Sequence, residues 1–412
     1  MSIIVQKYGG TSVGSVQRIE HVANRIIATA ASGKKVVVVV SAMGKTTDEL
    51  VGLASEITDE PRKREMDMLL ATGEQVTIAL LAMALHKRGQ EATSLTGWQA
   101  GMITESHHGN ARILEVERAR MDELLDKGHV VIVAGFQGID QQGEIMTLGR
   151  GGSDTSAVAI AAALKAERCE IYTDVTGVFT TDPRVVKQAR KLQTISYDEM
   201  LEMANLGASV LHPRAVEFAK NYEILLLVAS SMVDEPGTMI EEEGTMEQNL
   251  LVRGIAFEND VTKVTVHGLP NEIHTLPTLF AHLSAAGINV DIIIQNQTDS
   301  GMAISFSITQ SSLKETLARL EELKGELSFQ GIDYEEELAK VSIVGSGMVS
   351  NPGVAAKMFE ILAANDIAIK MVSTSEIKVS AVIDEELMVL AVEMLHEQFK
   401  LHEEEPAVAV EV

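Results

Sequence analysis

One cysteine, Cys169, stands among 412 residues. A lone thiol excludes an intrachain disulfide and fits a reducing compartment. Aromatic residues make up only 4% while hydrophobic residues reach 46%, so the cores must be aliphatic. Basic residues are scarce: 34 Lys and Arg face 59 Asp and Glu, a net charge of −25. That balance excludes nucleic acid as a partner, because its binding needs clustered cations. Any anion site must instead be built locally from a few Lys, Arg and backbone amides. No apolar run approaches the length of a membrane span, and the start MSIIVQKYGG lacks a signal-peptide pattern. The expectation is a cytoplasmic protein with no membrane partner. Walker A, an early GxGxxG and the protein-kinase motifs are missing as well.

What is present is a recurring unit. Residues 3–6 (IIVQ) and 35–40 (KVVVVV) read as buried strands, as do residues 92–95, 130–134 and 170–173. Each strand runs into a glycine or polar loop and most continue into a helix, with helices expected over 15–31 and 62–87, the latter broken at Thr72-Gly73-Glu74. Repetition of this kind specifies an α/β fold with a mostly parallel sheet, whose ligands gather at the carboxyl ends of the strands. Residues 147–164, TLGRGGSDTSAVAIAAAL, combine a glycine loop with an alanine-rich helix that Ser153, Asp154 or Thr155 is expected to cap. Taken alone, this is either an ordinary capped helix or an anion cradle. Convergence of the other loops on the same strand ends favours the cradle.

Beyond Glu241-Glu242-Glu243-Gly244, an acidic linker, the chain carries a weak repeat. Val264-Thr265-Val266-His267-Gly268 matches Val341-Ser342-Ile343-Val344-Gly345, and Phe280 matches Phe359. Each copy reads as a βαββα unit whose sheet needs a neighbour. The expected domains are residues 1–244, 245–336 and 337–405, with a tail at 406–412.

Five motifs in order, K-Y-G-G-T-S at Lys7, V-V-S-A-M-G at Val39, A-T-G-E-Q at Ala71, G-R-G-G-S-D at Gly149 and Y-T-D-V at Tyr172, resemble aspartate kinase. The resemblance spans nearly the whole chain and implies an amino-acid-kinase fold, with helices on both faces of the sheet, followed by two ferredoxin-like ACT units. It implies phosphoryl transfer from ATP, with Mg²⁺, to the β-carboxylate of L-aspartate. By resemblance, Lys7 stabilises the transferred group, with Tyr8, Gly9, Gly10 and Ser41 around the phosphates. Thr47 and Ser153 meet the accepting carboxylate, Glu74 the α-ammonium, and Arg150 with Gly151 and Gly152 the α-carboxylate. Asp154 orients Lys7. Thr173, Asp174, Phe179, Arg184, Ser209 and Val210 match nucleotide-side positions. Ser209 stands where many relatives have lysine, and Ala229 where they have arginine.

For the repeat, the resemblance implies control by lysine, alone or with threonine. His274 and Thr275 in the first copy and Asn351 and Val354 in the second occupy the strand-to-helix loops. Asp291 and Gln295 are candidate contacts for an effector ammonium. A homodimer or an α2β2 assembly through the ACT units is implied, with Met246 a possible start for a separate small chain. Two rivals stay in view: another carboxylate kinase of the same fold, and a non-catalytic amino-acid sensor.

Overall fold

The computed structural model describes residues 2–206, 210–242, 251–298, 301–348, 351 and 353–403. Among these, the chain forms two units: residues 2–178, 191–205 and 210–242, and residues 179–190, 206 and 251–403. The expected boundary at 244, Met246 and the tail at 406–412 lie outside the described residues.

An eight-stranded sheet organises the first unit, in the order Thr194–Ser196, Thr238–Glu241, Leu226–Ser230, Arg168–Thr173, Ile3–Tyr8, Lys35–Val40, Val130–Ala134, Ala92–Leu95. Every neighbouring pair is parallel except Leu226–Ser230 with Thr238–Glu241. The mostly parallel sheet expected from the sequence is therefore present. Its central strands are buried on both faces, which is why KVVVVV carries no polar alternation. On one face Val36, Val38 and Val40 pack with Ile19, Val22 and Ile26 of helix Val16–Ala31 and with Ile78, Leu81 and Leu85 of helix Thr72–His86. Burial of each such side chain contributes about 1.5–3 kcal/mol. Ser15 caps the first of these helices, its hydroxyl accepting from the Arg18 amide at 3.3 Å.

The sequence reading found no long apolar run, yet the helical stretch Lys63–His86 is long and apolar enough to cross a membrane by length and composition. The chain instead divides it into Lys63–Leu70 and Thr72–His86, and buries Asp67 and Glu74 inside the unit. A second sheet, missed at the sequence level, joins Ile113–Val116, Met102–Thr104, Gln137–Ile139 and Ile145–Thr147. Its last hairpin turns at Asp140, whose carboxylate accepts from the amides of Gln142 and Glu144, and leads directly into the glycine loop.

In the second unit both repeats share one six-stranded sheet. The long strands Gly254–Leu269 and Gly331–Val344 pair antiparallel at its centre, so each copy supplies the neighbour the other needs. The expected border at 336–337 falls inside Gly331–Val344, a single strand. Phe280 and Phe359 take equivalent places in helices Thr275–Ala285 and Val354–Ala364. Phe179–Arg190 belongs to this unit although it interrupts the first in sequence. Val186 packs among Ile255, Val341, Met358 and Leu395, and Thr180 Oγ1 is hydrogen bonded to the buried His396 Nε2 at 2.9 Å. Burial, with His402 and Arg190 nearby, pushes the His396 pKa down to about 4.

Candidate active site

Lys7 sits inside strand Ile3–Tyr8 rather than after it. Strand alternation sends Tyr8 to the face packed by helix Val16–Ala31, where its ring stacks on Tyr172 at 4.9 Å, and Lys7 to the other. Fully buried, the Tyr8 side chain leaves only its backbone to the site, and its carbonyl already accepts from the Ser41 amide. Lys7 Nζ lies 2.6 Å from Asp154 Oδ1, the two side chains 11% and 13% exposed. A pair this buried adds little net stability, since desolvation offsets the attraction, but it fixes the ammonium in one place.

Asp154 reaches Lys7 because its helix starts earlier than expected. Ser153, Asp154 and Thr155 do not cap it; Gly151 does, at φ 70°, and Gly152–Leu164 is already helical. The left-handed glycine turns the chain sharply enough that these three residues lie in the first turn. Gly151 has no side chain to satisfy the first amides, so the amides of Ser153 and Asp154 lack helical acceptors and face an anion favourably. A Cβ at Gly151 would meet His212 Cγ at 2.1 Å. Gly151→Ala is expected to cost more than about 2 kcal/mol through strain and overlap, read as a lower urea midpoint. His212 itself caps helix Pro213–Asn221 through Nδ1, and burial lowers its pKa, so it holds structure rather than catalysing.

The remaining strand ends close around this pair. A Cβ at Gly9 would touch Lys7 Nζ at 3.4 Å, and one at Gly10 would strike the Ala42 carbonyl at 2.9 Å. Only glycine permits the second approach. The Gly44 amide donates to Gly10 O at 3.0 Å, tying the first two loops together. Thr47 is half-buried in the first turn of helix Thr46–Ile57. Glu74 accepts from the Ala42 amide at 3.0 Å through Oε1, while its buried Oε2 has no partner. Burial pushes this carboxyl up to about 7. Ser153 packs on Gly135, and Arg150 is exposed at the loop apex. Thr173 and Asp174 end the strand beside Lys7's, and the Gly9 amide donates to Tyr172 O at 3.3 Å.

Other expected residues are placed elsewhere. Phe179 and Arg184 lie in the second unit, where Arg184 Nη2 is paired with Asp182 at 2.7 Å. Val210 is in a turn, and Ser209 lies outside the described residues. Ala229 is buried in the sheet. His274 precedes helix Thr275–Ala285, and Thr275, buried, donates to Pro270 O at 2.8 Å. Asn351 donates to Gly347 O, Val354 is buried, and Gln295 is exposed on strand Ile293–Thr298. Asp291 already holds an ammonium: Nζ of Lys340, a side chain only 7% exposed, lies 2.5 Å from it and 2.9 Å from Glu258.

Sequence reasoning missed Asp67. Its buried carboxylate accepts from Thr147 Oγ1 at 2.5 Å, His108 Nδ1 at 2.7 Å and the Gly109 amide at 3.1 Å. Nothing in KREMDMLL marks it, because its partners are 41 and 80 residues away. A cavity of about 690 Å³ lined by Arg25, Lys34, Arg168 and Glu170 does not include Lys7.

The amino acid kinase family matches residues 2–230, and an ACT domain matches residues 341–399. The chain is 67% identical to an aspartokinase of Bacillus sp. (strain MGA3), covering 97% of this chain and 98% of that one. It is 64% identical to aspartokinase 2 of Bacillus subtilis (strain 168) over 99% of this chain and all of that one. Among solved structures, E. coli aspartokinase III in complex with aspartate and ADP superposes with a TM-score of 0.79 at 28% identity, over 96% of this chain and 99% of that one. The same enzyme with lysine and aspartate gives 0.75 over the same shares. A cation held at the centre of a parallel sheet, glycine loops closing on it and a paired regulatory sheet agree with these matches: the chain belongs to the aspartokinases, within the amino acid kinase family.

Proposed function

We propose that this chain transfers the γ-phosphoryl group of ATP to the β-carboxylate of L-aspartate, giving 4-phospho-L-aspartate in the cytoplasm. A free aspartate side chain has pKa about 3.9, so the nucleophile is ionised at neutral pH and needs no general base. The barrier is charge repulsion: two unit charges about 4 Å apart at an effective dielectric near 20 repel by about 4 kcal/mol. Lys7, fixed by Asp154, offsets that repulsion at the transferred group, where pre-placed charge acts without reorganisation. The Ser153 and Asp154 amides receive the accepting carboxylate, with Thr47 beside them. Arg150 takes the α-carboxylate as a planar fork. Glu74 takes the α-ammonium, and its orphaned Oε2 fits that task.

The observation that carries this reading is the 2.6 Å Lys7–Asp154 pair at the mouth of the sheet. Among the described residues no three His, Cys, Asp or Glu side chains gather as a metal cage. Mg²⁺ carried on the nucleotide phosphates would supply further neutralisation when bound. Gly9, Gly10 and Ser41 line the phosphate side, with Thr173 and Asp174 on the adjoining strand end. E. coli aspartokinase III was solved with lysine, and we read the six-stranded sheet as the corresponding effector-binding and self-associating region.

Hydroxylamine trapping with aspartate, glutamate and acetylglutamate in parallel tests the reading. A hydroxamate from aspartate alone is expected. Equal product from another acid would name a different carboxylate kinase, and none from folded, ATP-binding protein would leave a sensor. Adding lysine, threonine or both to the aspartate reaction identifies the effector.

A further inference from the structure

Arg214 lies outside every motif that carried the assignment, yet it grips the loop bearing Arg150. Its helix, Pro213–Asn221, follows the His212 cap, which rests against Gly151. From there Nη1 donates to Leu148 O at 2.6 Å and to Asn110 Oδ1 at 3.2 Å, and Nη2 donates to Ala111 O at 3.0 Å. All three acceptors are neutral, and among the described residues no carboxylate pairs with this guanidinium. Half-buried, it has a lowered pKa through desolvation first and Arg112 second. Asp67 works on the same segments, through Thr147 Oγ1 and the Gly109 amide. Just after these anchors Gly149 and Gly151 adopt φ of 75° and 70°, so the loop has little stiffness of its own.

We propose that Arg214 is a positioning residue for the amino-acid substrate: it holds the Arg150 loop in its binding geometry and, with Asp67, sets the KM for aspartate. The assignment rests on the aspartate kinase reading of that loop. Three divergent donors to three fixed oxygens require the planar fork, which a lysine ammonium cannot reproduce from one point.

Steady-state kinetics on Arg214→Lys and Arg214→Met, each beside a urea unfolding curve, tests this. Arg214→Lys is expected to raise KM for aspartate at least tenfold, leaving KM for ATP within twofold and the urea midpoint near wild type. Arg214→Met is expected to raise it further. Combination with Asp67→Asn should fall at least threefold short of the product of the two single effects, since both act on one loop. Unchanged KM for aspartate in Arg214→Lys, or both KM values rising together, would overturn the proposal. Should Arg214→Met fail to fold, Arg214→Lys decides alone. Wild-type protein that forms no aspartyl hydroxamate would instead remove the reading beneath it.

Discussion

Lys7→Met is expected to lower kcat on the order of 10³-fold while changing KM for aspartate and ATP by much less. An ammonium that serves the developing charge on a transferred phosphoryl group matters most in the transition state, so its loss appears in turnover. The simple variant leaves Asp154 buried without its partner, a cost of about 3–5 kcal/mol that confuses the result with unfolding. The double variant Lys7→Met/Asp154→Asn removes that stranded charge. Its unfolding midpoint should return towards wild type while kcat stays low. Turnover within tenfold of wild type in the double variant would show that the enzyme does not work by charge neutralisation at this position.

Glu74→Gln is the second large effect, and it has two opposite signs. With its carboxyl raised to about 7 by burial, from 4.5, the folded state holds a proton that the unfolded state releases. The stability associated with that proton is fully present below pH 4.5 and is lost as pH rises through about 7. The difference amounts to about 3 kcal/mol. A neutral glutamine keeps an acceptor for the Ala42 amide and avoids the buried charge, so Glu74→Gln should unfold at a higher temperature than wild type at pH 8. Near pH 5, where wild type is also neutral, the two should differ little. Substrate binding should move the other way: KM for aspartate is expected to rise on the order of 10²-fold, the loss of a charged hydrogen bond to the ammonium. In wild type the same KM should fall as pH rises through about 7 while KM for ATP stays flat. A stabilised variant with unaltered aspartate affinity would assign Glu74 to structure alone.

Local chemistry explains why so much was legible. KVVVVV has no polar alternation because both faces of its strand are covered, and this pattern survives translation into sequence. Ser15 before an amphipathic run, with Ser32 and Gly33 after it, marks a helix by rules that operate within a few residues. The helix at the glycine loop was misjudged at its start for a related reason. Ser153, Asp154 and Thr155 are all good caps by type, and only the left-handed turn at Gly151, accommodated against His212, puts them inside the helix. Tyr8 was grouped with the nucleotide site by motif, but strand alternation sends its ring to the opposite face.

By itself, then, the order of residues determined the mostly parallel sheet, the doubled regulatory unit, the lysine and the glycine loops, because periodicity and backbone permissiveness are properties of short stretches. Tertiary structure alone decided that Glu74 is buried with an empty oxygen, that Lys340 already fills Asp291, and that Asp67 and Arg214 hold the segments around the Arg150 loop. Those contacts join residues tens to more than a hundred positions apart, and burial, which sets their charge and strength, exists only once the chain has closed.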